Sequence, residues 1–152
     1  MIIRFIQPDD LSGCARILSE NPLWQRYGVT YESALQRLSD GMMRASTILV
    51  AGDPGDPQGF LWYVDKGVFS RSGYIMLVGV SPAQQRKNVG KELMDEAERI
   101  LFEQSKDVFL LVSDFNIGAQ RFYRRRGYEQ VGSIPGYVLP DVAELLFRKC
   151  KK

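Results

Sequence analysis

The segment 84–90 contains residue types that could bind an anion. It reads Gln-Gln-Arg-Lys-Asn-Val-Gly and leads into an amphipathic stretch. Arg86 and Lys87 stand beside a predicted helix N-terminus, where unpaired N–H groups and the positive end of the helix dipole favour negative charge. Asn88 and Gly90 are well suited to turning the backbone so that successive N–H groups converge. The pattern favours a phosphate site, although a plain solvated loop would carry the same residues.

A second motif follows the next predicted strand and reads Asn116-x-x-Ala119-x-x-Phe122-Tyr123-x-x-x-Gly127-Tyr128. The chain contains no histidine. Ser–His and Cys–His nucleophiles, imidazole general bases and histidine-containing zinc sites are therefore excluded, and we expect no metal centre. Any acid–base chemistry must use Tyr, Asp, Glu, Lys, Cys or the backbone.

The composition is that of an ordinary globular domain. The 152 residues are 45% hydrophobic and 25% charged, with a net charge of +2, so we predict one domain spanning residues 1–152. The small net charge gives no reason to expect a nucleic-acid partner, and the apolar runs are too short to cross a membrane. We interpret Cys14 and Cys150 as reduced thiols. With no basic, apolar leader at the start, we expect a cytoplasmic protein.

Hydrophobic periodicity predicts the elements that position the two motifs, in the order β-α-α-β-β-β-α-β-α-β-β. The predicted helices cover 11–19, 31–44, 89–104 and 117–126; the predicted strands cover 2–6, 47–51, 59–65, 73–80, 108–112, 128–131 and 142–148, and 132–140 is a predicted loop. Strand 73–80, helix 89–104 and strand 108–112 form a crossover unit. Such a unit makes the two strands parallel and favours ligands at their C-terminal ends.

The two motifs together resemble the GNAT superfamily of acyl-coenzyme A N-acyltransferases. The pyrophosphate loop of that family, Gln/Arg-x-x-Gly-x-Gly/Ala after Val-x-Pro, is matched by Val80-Ser81-Pro82 and then 85–90. Asn116–Tyr128 matches the family's later helix at every named position, whereas Asn88 stands where the family usually has Gly. The resemblance covers roughly residues 74–131. It implies a mixed α/β fold with a mostly antiparallel sheet of six to seven strands, a central parallel pair and about four helices on its faces.

The resemblance also implies acetyl-CoA as the acyl donor and a role for each motif residue. The amides of the 86–91 loop would cradle the pyrophosphate, and strand 73–80 would splay from strand 108–112, with Gly79 at the bulge that splaying requires. The pantetheine arm would pair along 78–80, and a backbone N–H near Val78 would stabilise the oxyanion. Asn116 would hydrogen-bond this arm. The implied cofactor-binding residues are Val78, Val80, Gln85, Arg86, Lys87, Asn88, Val89, Gly90, Lys91, Asn116, Ala119 and Phe122, with Tyr123 as the catalytic residue at the thioester sulfur.

The implied reaction is direct attack of a neutral amine on the thioester. Tyr123 would hydrogen-bond the departing thiolate, because a free tyrosine is a weaker acid than a thiol and complete proton transfer is uphill by about 2 kcal/mol. Some relatives carry Glu in the strand where Leu111 stands. Asp114, Asp141 and Glu32 are candidate general bases by loop position alone, and deprotonation by solvent is the alternative.

The amine is expected to enter beside the N-terminal helices and the loop 132–140. Trp24, Tyr27, Tyr31 and Tyr137 make these segments aromatic, which suits an amine with an apolar or cationic body. The alternative is that these aromatic side chains pack in the core or in a dimer contact.

The main prediction is therefore an N-acyltransferase acting on a small molecule or a protein, and two other functions are open. A module of the same fold could bind acyl-CoA as a sensor without transfer, which Asn88 and the missing base favour. An RNA-binding domain could use Arg121, Arg124, Arg125 and Arg126, although the charge balance argues against it. A homodimer is the default expectation for an enzyme of this size.

Overall fold

The computed structural model describes residues 1–85 and 87–152 and contains one sheet of seven strands. The strands follow the order β1-β2-β3-β4-β5-β7-β6, and every adjacent pair is antiparallel except β4 and β5. Their bounds are β1 Ile3–Phe5, β2 Thr47–Ala51, β3 Gly59–Val68, β4 Ser72–Val80, β5 Asp107–Ser113, β6 Glu129–Pro135 and β7 Ala143–Cys150. The predicted mixed sheet with a central parallel pair is confirmed.

Five α-helices in the described part of the chain cover the two faces of this sheet. They are α1 Leu11–Ser19, α2 Pro22–Arg26, α3 Tyr31–Met42, α4 Val89–Gln104 and α5 Ile117–Arg125. Helix α2 was not predicted, because Asn21-Pro22 was interpreted only as the end of α1. In the structure Asn21 accepts a hydrogen bond from the N–H of Leu23 at 2.9 Å and Pro22 occupies the first turn. Both are favourable ways to start a helix.

The apolar side chains form one core on each face of the sheet. On one face, α4 buries Val89, Leu93, Met94, Ala97 and Leu101, a spacing that makes a single helical stripe. The opposite core lies between the sheet and helices α1 and α3. The sheet therefore separates α4 and α5 from the N-terminal helices.

The parallel pair is short, and the two strands then separate. Strands β4 and β5 pair from Gly73–Val108 to Ile75–Leu110, but β4 continues to Val80. The register between β3 and β4 skips Met76, which is the extra residue of a β-bulge. Gly79 pairs regularly with Phe60, so the prediction of a bulge at Gly79 is wrong. Gly79 instead permits close packing, because a Cβ there would lie 2.9 Å from the Phe60 ring.

The C-terminal connection differs from the predicted loop. Strand β6 runs to Pro135 rather than ending at residue 131, because it continues to pair with β7 as far as Ala143. The predicted loop 132–140 is thereby shortened to the residues that follow Pro135. Within the described ranges, no helix has both the length and the apolar character that a bilayer-crossing helix requires.

Candidate active site

The separation of β4 from β5 opens a cleft of about 470 Å³ through the sheet. Helix α5 lines it from the face covered by α4, and the segment 23–29 lines it from the opposite face. Its lining includes Leu23, Trp24, Tyr27, Val29, Tyr74, Val78, Leu111, Ser113, Asn116, Ala119, Tyr123, Tyr137 and Glu144. A ligand on the α5 side can therefore meet a second ligand that enters from the α2 side.

The edge of β4 offers backbone hydrogen-bonding groups to this cleft. The N–H of Ser81 donates to the carbonyl of Gln58 at 2.9 Å, so the backbone groups of Ser81 and Gly79 point toward β3. Because these groups alternate along an antiparallel strand, those of Val78 and Val80 point the other way. At that level β5 no longer pairs with β4, and the groups of Val78 and Val80 face the gap.

The predicted anion loop ends in a strained residue at the start of α4. Asn88 is the N-cap, with φ 63° and ψ 15°, and its side chain makes no capping hydrogen bond. Asparagine tolerates this left-handed conformation better than most residues. The first helical bond described at this end runs from the N–H of Glu92 to the carbonyl of Asn88 at 3.0 Å. The amides of 89–91 therefore precede the helical hydrogen-bond ladder.

The other predicted loop residues divide between exposed and buried positions. Val89 is fully buried in the core, while Gln85 and Lys87 are exposed. The ammonium of Lys91 pairs with Asp95 at 2.9 Å, so only its backbone belongs to the loop. Arg86 lies outside the described residues.

Gly90 is not required by the packing of the protein itself. A Cβ at this position would lie 3.7 Å from Val80 and 4.0 Å from Phe122, which are ordinary contacts. The position therefore has room that the chain leaves unfilled, as a bound anion at the helix start would need.

Helix α5 carries the second predicted motif into the cleft. The side-chain oxygen of Asn116 accepts from the N–H of Ala119 at 3.2 Å and caps the helix. Its amide NH₂ group forms no hydrogen bond in the described structure, so it can still donate to a ligand. Asn116, Ala119 and Tyr123 line the cleft, whereas Phe122 points toward the Gly90 end of α4.

Tyr123 lies half-buried between two aromatic neighbours. Its ring packs edge-on against Phe122 and Tyr128, with centroids 5.2 and 5.8 Å away. Its hydroxyl forms no hydrogen bond with the residues described here. Burial raises the pKa of Tyr123 to about 12, and the positive charge of Arg126 opposes this shift. The hydroxyl therefore stays protonated at neutral pH and is available as a donor.

The three predicted general-base candidates lie outside the cleft. Glu32 and Asp141 are exposed and do not line it. Asp114 is exposed and accepts from the N–H of Ala143 at 3.0 Å, which is a turn-stabilising role. Leu111, which stands where some relatives carry Glu, lines the cleft.

Sequence reasoning missed the carboxylate that does line the cleft, Glu144. It pairs across the strands with Ser113, and Leu111 lies two residues before Ser113, so the three side chains share one face of the sheet. The Tyr27 hydroxyl donates to Glu144 at 2.6 Å and also contacts the Ser113 hydroxyl. Burial and the bond to Glu144 raise the pKa of Tyr27 to about 12. Nothing local in the sequence marks Glu144, because its importance comes from the pairing of β7 with β5.

Three of the four aromatic residues expected beside the amine line the cleft. Trp24, Tyr27 and Tyr137 are these three. Tyr31, the first residue of α3, instead packs against the core between the sheet and helices α1 and α3. A larger cavity of about 580 Å³ lies beside α3 and contains none of the predicted site residues. The cleft between β4 and β5 is therefore the candidate active site.

Comparisons with known proteins agree with this geometry. A model of the acetyltransferase (GNAT) family matches residues 11–128. A tRNA uridine(34) acetyltransferase of Methanocaldococcus jannaschii is 42% identical over 55 residues, which are 36% of this chain and 10% of that relative. The matched segment thus spans only about a tenth of the length of that protein.

Solved structures share the fold over almost the whole chain. The ribosomal-protein-alanine N-acetyltransferase from Brucella melitensis superposes with a TM-score of 0.80 at 21% identity, covering 99% of this chain and 100% of the other. An aminoglycoside 6'-N-acetyltransferase complexed with coenzyme A gives 0.77 at 16% identity, covering 99% and 97%. Since the family model covers most of the chain, including both motifs up to Tyr128, the chain belongs to the acetyltransferase (GNAT) family.

Proposed function

We propose that the chain transfers the acetyl group of acetyl-CoA to a primary amine by direct attack. The observation that carries the proposal is the divergence of β4 from β5, which leaves the backbone groups of Val78 and Val80 facing a cleft that also contains Tyr123. We further propose that residues 1–152 act as one cytoplasmic domain. The single sheet supports one domain, because it extends from Ile3 to Cys150.

The residues of the chain fit acetyl-CoA along one path. The start of α4, with the unfilled space at Gly90, would hold the pyrophosphate. The β4 edge at Val78 and Val80 would pair with the amides of the pantetheine arm, and the NH₂ group of Asn116 would donate to the same arm. This path leads the thioester to the cleft, where Tyr123 lies.

The reaction begins when a neutral amine attacks the thioester carbonyl carbon. The backbone N–H of Val78 would stabilise the oxyanion, and collapse of the intermediate breaks the C–S bond. With a pKa of about 12 for Tyr123 and about 8.5 for a free thiol, full proton transfer from Tyr123 would cost about 5 kcal/mol. Tyr123 therefore hydrogen-bonds the leaving thiolate, and the proton comes from the nitrogen that has attacked.

The two features that favoured a non-catalytic acyl-CoA sensor have structural counterparts that support catalysis. Asn88 adopts the left-handed conformation that the loop needs, and Glu144 brings a carboxylate into the cleft. The basic cluster also has a structural use, because Arg126 pairs with Asp95 and Glu98.

Release of free thiol from acetyl-CoA tests the proposal. The protein is incubated at pH 8 with acetyl-CoA and, in separate reactions, an alanine-initiated peptide, kanamycin and 2-phenylethylamine. We expect amine-dependent thiol release with at least one acceptor, together with the corresponding acetyl amide by mass spectrometry. Acetyl-CoA binding without release for any member of a broad set of primary amines would favour the sensor.

A further inference from the structure

Glu144 is a buried carboxylate whose set of partners is incomplete. Its side chain belongs to a residue that is 7% exposed, and Oε2 accepts from Tyr27 at 2.6 Å. Oε1 accepts no hydrogen bond, and no Lys or Arg nitrogen lies within 4.0 Å of Glu144, among residues 1–85 and 87–152. A buried charge without a counter-charge is costly. Because Glu144 lines the cleft, a cationic group of a ligand can supply what the chain does not.

The carboxylate is held in a fixed orientation. The proton of the Tyr27 hydroxyl goes to Glu144, so the Ser113 hydroxyl must donate to the Tyr27 oxygen. The Tyr27 ring is itself packed against Phe115 and Trp24, each with its centroid 6.3 Å away. This chain of contacts aims one oxygen of Glu144 at the cleft, as a positioned ion-pairing group requires.

The rest of the cleft limits how much positive charge it can accept. Its other described lining residues are mainly apolar or aromatic, and its described charged side chains are Glu144 and Arg37. Arg37 forms no ion pair with Glu144 and would repel a second ammonium. The cleft therefore offers one carboxylate, surrounded by apolar surface, to one cationic group of a ligand.

We propose that Glu144 binds the reacting ammonium of the acceptor, and that the acceptor is a primary amine with one positive charge and an apolar body. This inference rests on the proposed acetyl transfer. The bound ammonium loses one proton to solvent, and the neutral nitrogen then forms the C–N bond. As the C–S bond breaks, the thiolate takes the second proton from nitrogen. Polycationic amines do not match the single carboxylate.

The test is a binding comparison that needs no turnover. The probes are 2-phenylethylammonium, its neutral isostere 2-phenylethanol and the polycation kanamycin, each added to the protein saturated with coenzyme A. The indole N–H signal of Trp24 reports on the cleft, and that of Trp62, which lines the cavity beside α3, is the internal reference. Glu144→Gln removes the charge. Asp141→Asn is the matched control, because Asp141 is an exposed carboxylate three residues earlier, just before β7, and does not line the cleft.

We expect the wild type and Asp141→Asn to bind the ammonium at least about tenfold more tightly than the alcohol, and Glu144→Gln to lose this preference. Glu144→Ala provides a second charge-removing variant if Glu144→Gln does not fold. The inference is overturned if the wild type shows no preference, if either folded variant keeps it, or if kanamycin shifts the Trp24 signal at lower concentration than the monoamine. Failure of acetyl transfer is seen separately, as absent thiol release from a cleft that still prefers the ammonium.

Discussion

Glu98 links the two helices of the proposed acetyl-CoA path. It is 7% exposed on α4, yet it accepts from Lys149 at 2.7 Å, from Tyr128 at 2.9 Å and from Arg126 at 3.1 and 3.3 Å. Arg126 and Tyr128 directly follow α5, and Lys149 belongs to β7. Glu98→Gln keeps the size of the side chain but removes the charge that these donors share. Lys149 is then left without a counter-charge in a mostly buried place, and Arg126 keeps only its pair with Asp95 at 2.8 Å.

The expected cost is large for a single substitution. Removing one partner of a buried ion pair destabilises a protein by about 3–5 kcal/mol. Since about 1 kcal/mol shifts the melting temperature of a domain of this size by about 2–4 °C, we expect Glu98→Gln to lower it by about 10 °C. Glu96→Gln is the control, because Glu96 on the same helix also pairs with an arginine, Arg99, at 2.7 Å but near the surface. Such a pair adds little to stability.

Thermal and urea unfolding of the three proteins measure this difference. The network account predicts a large loss for Glu98→Gln and a melting temperature near that of the wild type for Glu96→Gln. Equal changes in the two variants would refute it, because they would show that burial of the Glu98 network does not matter.

Three further predictions concern the site and the N-terminal segment. Gly90→Ala should be at least as stable as the wild type without ligand, because the new Cβ would lie 3.7 Å from Val80. The same substitution should weaken acetyl-CoA binding measured by calorimetry, and an unchanged affinity would argue against a phosphate at this position. Tyr123→Phe should lower kcat about a hundredfold with little change in acetyl-CoA affinity, and an unchanged kcat would remove the hydroxyl from the mechanism. Burial raises the pKa of Asp10, but Arg4 and two backbone N–H groups together bring it below its usual value of 3.8. The resulting stability is present above about pH 4 and is lost as the pH falls through the lower folded pKa. Asp10→Asn should thus be destabilised at pH 7 and approach the wild type in acid, as urea unfolding at several pH values would show.

The sequence was sufficient for the elements that carry strong local signals. Helix α4 has both bounds as predicted, Val89–Gln104, because its apolar stripe and the preceding loop are unambiguous. The left-handed Asn88 was also predictable, since asparagine tolerates that conformation. Helix α2 was missed because an Asn-Pro pair can end one helix and begin another, and only the surrounding packing decides which.

The parts that local patterns could not predict depend on strand pairing. The bulge lies at Met76 rather than Gly79 because the register of β4 against β3 fixes it, and a glycine is not needed for a bulge of this kind. Glu144 lies at the site because it pairs with Ser113, which is 31 positions earlier along the chain. A search of loops for a general base could not find a carboxylate on a strand.

The measurement that tests the central claim most directly is the melting temperature with and without acetyl-CoA, for the wild type and Gly90→Asp. Acetyl-CoA at a hundred times its Kd should stabilise the wild type by about 2.7 kcal/mol, a rise of roughly 5–10 °C. Gly90→Asp places a carboxylate against the pyrophosphate and should lose most of that rise. No rise in the wild type, or an equal rise in both proteins, would contradict the proposed acetyl-CoA path along α4 and β4.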